Sequence, residues 1–167
     1  MIDQGVDGIC ILANYSEQFV LSDAERETLL DVCAKHIAGR VALIVTTSHY
    51  STDIAVARAS RAEQAGADML MVMPPYHGAL LKADETRIFE HYARIADSVE
   101  VPLMVQDAPL SGVDLSVSFL GRMAREIPQV DFLKIEMPGT AAKLRALIET
   151  AGDQIAGPFD GEESITL

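Results

Sequence analysis

Gln64-Ala65-Gly66-Ala67-Asp68-Met69-Leu70-Met71-Val72-Met73-Pro74-Pro75-Tyr76-His77-Gly78 is the stretch on which the reading of the fold turns. Gly66 ends a helical segment, because glycine enters the left-handed conformation of a helix C-terminus without a Cβ penalty. An acidic residue, Asp68, then precedes an apolar run over 69–73 that reads as a strand, and prolines and polar residues follow it. Gln4-Gly5-Val6-Asp7-Gly8 repeats the same local design near the start of the chain. This is a weak internal echo of one βα unit.

Working outward, short apolar runs over 8–13, 41–46, 102–106 and 132–135 also read as strands, and a weaker sixth candidate begins near Gln154. Helical patterns lie between them, at roughly 23–38, 52–65, 84–98, 115–126 and 140–151. Ser22-Asp23-Ala24-Glu25 fits a capping box, and Ser51-Thr52-Asp53 offers another helix entry. Strands alternating with helices predict βαβ units, a parallel sheet and one domain over residues 1–167.

The unusual polar residues gather just after the strands: Asn14-Tyr15-Ser16-Glu17, Thr47-Ser48-His49-Tyr50, Tyr76-His77, Gln106-Asp107 and Glu136. A β/α barrel carries its active site on that edge. A doubly wound sheet also binds ligands beyond its strand ends, so position alone leaves both architectures open. No glycine-rich dinucleotide fingerprint follows the first strand and no phosphate loop occurs, which disfavours a nucleotide-binding version.

Composition narrows the partners. The chain of 167 residues is 49% hydrophobic, enough for a substantial core, and its formal charge of −12 is spread along the sequence. That leaves no basic stripe for nucleic acid and no polybasic patch for a membrane. Cys10 and Cys33 lack a paired spacing for zinc or a disulfide framework and fit a reducing cytoplasm. The start has no basic region followed by an apolar core, and no run is long enough to span a bilayer, so a soluble protein is expected.

Within Val130-Asp131-Phe132-Leu133-Lys134-Ile135-Glu136, strand alternation predicts Val130, Phe132, Lys134 and Glu136 on one face and Leu133 and Ile135 on the other. Burial disfavours an ammonium ion, and a neutral amine can attack a carbonyl to form a Schiff base. The alternatives are a lysine that snorkels to solvent from the strand end, or one paired structurally with Glu136. His36 and His91 fall in helical segments and are expected to face solvent. His49 and His77 lie on loops without the convergent spacing of a metal site, so no metal is expected. Met69, Met71 and Met73 alternate along a strand and read as core filling.

Several segments, in order and spacing, resemble the dihydrodipicolinate synthase and N-acetylneuraminate lyase family of Schiff-base barrel enzymes. They are Gln4-Gly5-Val6-Asp7-Gly8, Ser16-Glu17 with Leu21-Ser22, Ala65-Gly66-Ala67-Asp68, Pro75-Tyr76, Pro109 with Gly112-Val113-Asp114-Leu115-Ser116, and the strand holding Lys134. The resemblance implies an α/β fold, a partial TIM (β/α)8 barrel covering approximately strands 2 to 7, with Gly157-Pro158-Phe159-Asp160-Gly161 closing the seventh. A complete barrel needs about 250 residues, so on this register the chain reads as cut within helices at both ends. Unpaired edges and an uncovered apolar face are then expected to make it aggregation-prone in isolation. The resemblance also implies a small 2-keto acid substrate, no cofactor beyond the covalent Schiff base on lysine, and a homo-oligomer, a tetramer of barrels.

Departures from that family direct the chemistry. Pyruvate-condensing members carry a paired-threonine loop after strand two, a tyrosine after strand five and an arginine in the next loop. Those regions here read Asn14-Tyr15-Ser16, Gln106 and Leu110-Ser111, so the tyrosine relay and the anchor for a dicarboxylate partner are missing. The family's glutamate directly after the lysine is replaced by Ile135, and Glu136 is turned to the lysine's face. This pattern resembles the family's sugar-acid dehydratases, which implies dehydration of a 2-keto-3-deoxy sugar acid, with 2-keto-3-deoxy-L-arabonate giving 2,5-dioxopentanoate. Lys134 would form the iminium and Glu136, directly or through water, would take the C3 proton. Tyr76 would transfer a proton or position the amine, Ser16 would bind the substrate carboxylate, and Asn14, Tyr15 and Gln106 would line the substrate site. Each has a plainer alternative: packing for Tyr76, loop capping for Ser16, local backbone bonding for Asn14 and Gln106. A retro-aldolase of the same family and a non-catalytic fragment remain open as rival readings.

Overall fold

The computed structural model describes residues 1–77 and 81–161, and for 76, 77, 81 and 82 the backbone alone. The chain runs β1 (Gly8–Ile11), α1 (Asp23–Ile37), β2 (Ala42–Thr46), α2 (Thr52–Gln64), β3 (Met69–Val72), a short antiparallel pair β4 (Tyr76–His77) and β5 (Leu81–Lys82), then α3 (Glu85–Ala96), β6 (Leu103–Asp107), α4 (Val117–Glu126), β7 (Val130–Ile135), α5 (Thr140–Ala151) and β8 (Gly157–Asp160). Six parallel strands form one sheet in the order β1-β2-β3-β6-β7-β8, which is their order along the chain.

That order decides the architecture left open by the sequence. A doubly wound sheet reverses its strand order at a switch point and carries helices on both faces. This sheet advances in one direction. The strand residues Ile11, Leu43, Val45, Leu70, Val72, Leu103, Val105, Leu133 and Ile135 share one core cluster with helix residues such as Leu30, Ala59, Ile88, Tyr92, Leu120 and Leu147. The opposite, concave face carries Cys10, Thr46, Met71, Met104, Gln106, Phe132 and Lys134. The fold is a curled half of a β/α barrel.

Local signals explain the punctuation. Gly5 and Gly66 adopt φ of 84° and 91°, as the repeated design requires. Asp68 accepts from the Leu43 amide at 2.8 Å while its own amide donates to the Leu43 carbonyl at 2.9 Å, so the acid before β3 pins it to β2. The capping box at α1 forms in full: the Glu25 amide donates to Ser22 Oγ at 3.3 Å, and the Ser22 amide donates to Glu25 Oε2 at 2.8 Å. Ser51 precedes α2, but its hydroxyl makes no cap bond.

Two expectations are corrected. Val130 pairs with Leu103 and Phe132 with Met104, so Asp131 is an extra residue in β7; this bulge turns Val130 into the helix-side core, away from Lys134. His91 does not face solvent: it is 2% exposed, and its Nδ1 meets Thr52 Oγ1 at 2.9 Å. It shares the inward face of α3 with Ile88, Tyr92 and Ile95, at the 3–4 residue spacing of one helical stripe. Among the described residues no helix is long and apolar enough to cross a membrane.

Candidate active site

The C-terminal ends of β1, β6 and β7 converge on a cleft of about 200 Å³ walled by Asn14, Tyr15, Gln106, Lys134 and Glu136, with Ala13 and the Ala108-Pro109-Leu110 loop. Gln106 and Lys134 are paired neighbours on β6 and β7, so register alone sets their side chains together on the concave face. Glu136 follows two residues after Lys134, and its amide donates to the Asp107 carbonyl at 2.8 Å, which continues the sheet pattern past the end of β7. Its carboxylate therefore returns to the concave face and forms an ion pair with the Lys134 ammonium. Ile135, between them, is fully buried on the helix side.

Gln106 is 1% exposed and donates from Nε2 to both Glu136 oxygens, at 3.2 and 3.1 Å. Its own Oε1 is buried and, among the described residues, meets no donor. A buried acceptor left open beside an amine and a carboxylate is suited to a donor from a bound molecule, such as a hydroxyl. The arrangement thus sets an amine, nucleophilic once neutral, against a carboxylate able to take its proton. Among the described residues, no group of three or more His, Cys, Asp or Glu side chains is arranged to hold a metal ion.

The other residues singled out from the sequence divide. Asn14 lies in a 3-10 turn (Asn14–Ser16), lines the cleft, and accepts at Oδ1 from Gln18 Nε2 at 2.9 Å. Tyr15 stands at the rim, 96% exposed. Ser16 is exposed and is not among the cleft's described walls. The side chains of Tyr76 and His77 lie outside the described residues. His49 sits away from the cleft, accepting at Nδ1 from the Ser51 amide at 2.9 Å; burial, followed by the Arg58 charge, lowers its pKa.

Three neighbours escaped the sequence reading. Cys10 reaches Thr46 Oγ1 at 3.7 Å on the concave face. Burial raises its thiol pKa, the Thr46 contact and the Lys134 charge oppose that shift, and the Glu136 charge adds to it. Gly161 abuts Glu136 so closely that a Cβ there would overlap Glu136 Cγ and lie 2.8 Å from Oε1. Asp107, on the far side of β6 from the cleft, is completely buried and pairs with Lys143 of α5 at 2.6 Å. Strand parity places Asp107 opposite Gln106, but only the packed helix shows its partner.

A family model describing the dihydrodipicolinate synthetase family matches residues 1–166. The chain belongs to that family. It is 60% identical over 167 residues, its whole length, to L-2-keto-3-deoxyarabonate dehydratase of Azospirillum brasilense, and covers 54% of that protein. Two dihydrodipicolinate synthase structures superpose closely. The one from Aquifex aeolicus has a TM-score of 0.91 and 26% identity, over 99% of this chain and 55% of that one. The Acinetobacter baumannii synthase, complexed with pyruvate, gives 0.89 and 28%, over 97% of this chain and 54% of that one. The chain spans about half the length of the curated relatives it matches. The half-barrel follows the family's TIM-barrel fold.

Proposed function

We propose that residues 1–167 form the Schiff-base-bearing part of a dehydratase acting on a 2-keto-3-deoxy sugar acid, with 2-keto-3-deoxy-L-arabonate as substrate and 2,5-dioxopentanoate as product. The observation that carries this reading is Glu136 on the face of Lys134, held at both oxygens by Gln106. The 60% identity to the Azospirillum dehydratase and the pyruvate complex of the Acinetobacter synthase support the choice of substrate class.

Lys134 passes a proton to Glu136 and attacks the C2 ketone; Glu136 then returns that proton to the carbinolamine hydroxyl, which leaves as water to give an iminium and restores the carboxylate. The iminium acidifies the C3 proton, which Glu136, directly or through water, removes to leave an enamine. The enamine electrons expel the C4 hydroxyl, which leaves as water after receiving a proton. Tautomerisation moves unsaturation toward C5 and produces the aldehyde, and hydrolysis frees Lys134. The iminium is the electron sink, so the step needs no further cofactor. Gln106 Oε1 accepts from a substrate hydroxyl, while Asn14, Tyr15 and Ser16 form the substrate loop and Tyr76 assists proton transfer. The complete protein assembles as a homo-oligomer, a tetramer of barrels by family resemblance.

Borohydride reduction of the full-length enzyme with pyruvate or substrate tests the first step, with a covalent adduct expected on Lys134; no adduct removes the Schiff-base reading. Glu136→Gln should still form the adduct yet lose about 10²–10⁴-fold in dehydration rate, the usual contribution of a positioned acid–base group. Release of free pyruvate in place of the dioxo acid would establish the retro-aldol alternative instead.

A further inference from the structure

Arg26 is a buried cation, 5% exposed, with which no carboxylate among the described residues forms an ion pair. Burial, and then the like charge of Arg58, pushes its pKa down to about 10, against the pull of Asp23 and Glu27. A charge held at such cost is expected to serve the groups it touches. Its guanidinium donates through Nη1 to the Gln18 carbonyl at 3.3 Å and through Nη2 to the Thr46 carbonyl at 3.0 Å. It therefore ties the loop after β1 to the end of β2.

That loop is strained. Leu12 and Glu17, neither of them glycine, adopt φ of 55° and 52° and bracket the turn that carries Asn14. Left-handed non-glycine residues persist only where surrounding contacts over-determine them. Gln18, directly after Glu17, is 2% exposed and uses its side-chain amide to hold Asn14 Oδ1 at 2.9 Å. A continuous chain of bonds thus runs from the Arg26 guanidinium through Gln18 to Asn14 at the wall of the Lys134 cleft.

We infer that Arg26 is a positioning residue for substrate recognition: it fixes the strained loop so that Gln18 presents Asn14 to the hydroxylated keto acid, and it has no part in Schiff-base formation. The inference rests on the proposed reading of the Lys134 cleft. It assigns Arg26 and Gln18 to substrate affinity and Lys134 and Glu136 to the chemical steps.

The test is steady-state kinetics of full-length Arg26→Met, Gln18→Met and the double variant with 2-keto-3-deoxy-L-arabonate, together with borohydride trapping by saturating pyruvate. Arg26→Met should raise KM by about ten- to a hundredfold, as for loss of hydrogen bonds to a charged group, with kcat nearly unchanged and full adduct yield. Gln18→Met, which keeps the backbone bond to Arg26 and cuts only the link to Asn14, should raise KM in the same direction. The double variant should be no worse than Arg26→Met alone, because both lie on one chain of contacts. Unchanged KM in either single variant, a fall in kcat alone, or fully additive effects would overturn the inference. If Arg26→Met does not fold, Gln18→Met decides by the same criterion. Wild-type enzyme without an adduct would overturn the proposed function as well, whereas an adduct with unmoved KM overturns only the role of Arg26.

Discussion

At the residue scale, the decisive contrast is between Glu136 and Gly161. The inward turn of Glu136 follows from counting two along a strand, and it was legible because alternation is a property of the local backbone. The room it occupies was not, since that room is supplied by a glycine beyond the end of β8 that comes close only when β7 and β8 pair. Gly161→Ala should displace the Glu136 carboxylate without a backbone penalty of its own. Dehydration should then fall by about a hundredfold, the scale of an ångström-sized misplacement, while borohydride still traps Lys134. Full dehydration by this variant would show that Glu136 does not need its observed position. The bulge at Asp131 is a second such case: Val130 obeys the alternation in sequence and breaks it in space, because an extra residue reverses parity on one side of the insertion.

At the element scale, β6 and α5 are tied by an ionic cluster centred on the buried Asp107. Asp107 accepts from Lys143 at 2.6 Å and from the Leu115 amide at 3.3 Å, and Lys143 also meets Asp114 at 2.7 Å. The cluster folds the loop that holds Ala108, Pro109 and Leu110 back onto the strand end, so that the loop forms one wall of the cleft. Lys143→Met leaves Asp107 buried without its counter-charge and should cost about 3–5 kcal/mol, measurable by denaturant unfolding, whereas Asp107→Leu with Lys143→Met should recover much of that loss. Burial raises the Asp107 pKa, against the opposing pull of Lys143. Over the window just above the ordinary carboxylate range, the native state then holds a proton that the unfolded chain has released. In that window this group's contribution to stability falls as pH rises. The wild-type curve minus that of Asp107→Asn should show that slope, and a flat or opposite difference would contradict it.

At the scale of the whole molecule, β1 and β8 each have a single strand neighbour among the described residues, and the concave face leaves Phe159 43% exposed. Unpaired edges and open apolar surface favour association. The 167-residue chain alone should therefore self-associate in sedimentation experiments, and a monodisperse monomer with a sharp cooperative thermal transition would count against this. The sequence by itself determined the alternation of helices and strands, the helix starts and stops, the polar edge after the strands, and the shared face of Lys134 and Glu136. All of these depend on spacings of two to four residues, the periods of strand and helix. Only the tertiary structure decided that the sheet advances in one direction as a half-barrel, that Gln106 grips Glu136, that Arg26 holds the Asn14 loop, and that Asp107 pairs with Lys143. Those contacts join residues far apart in the chain, through strand register and helix packing, which no local pattern encodes.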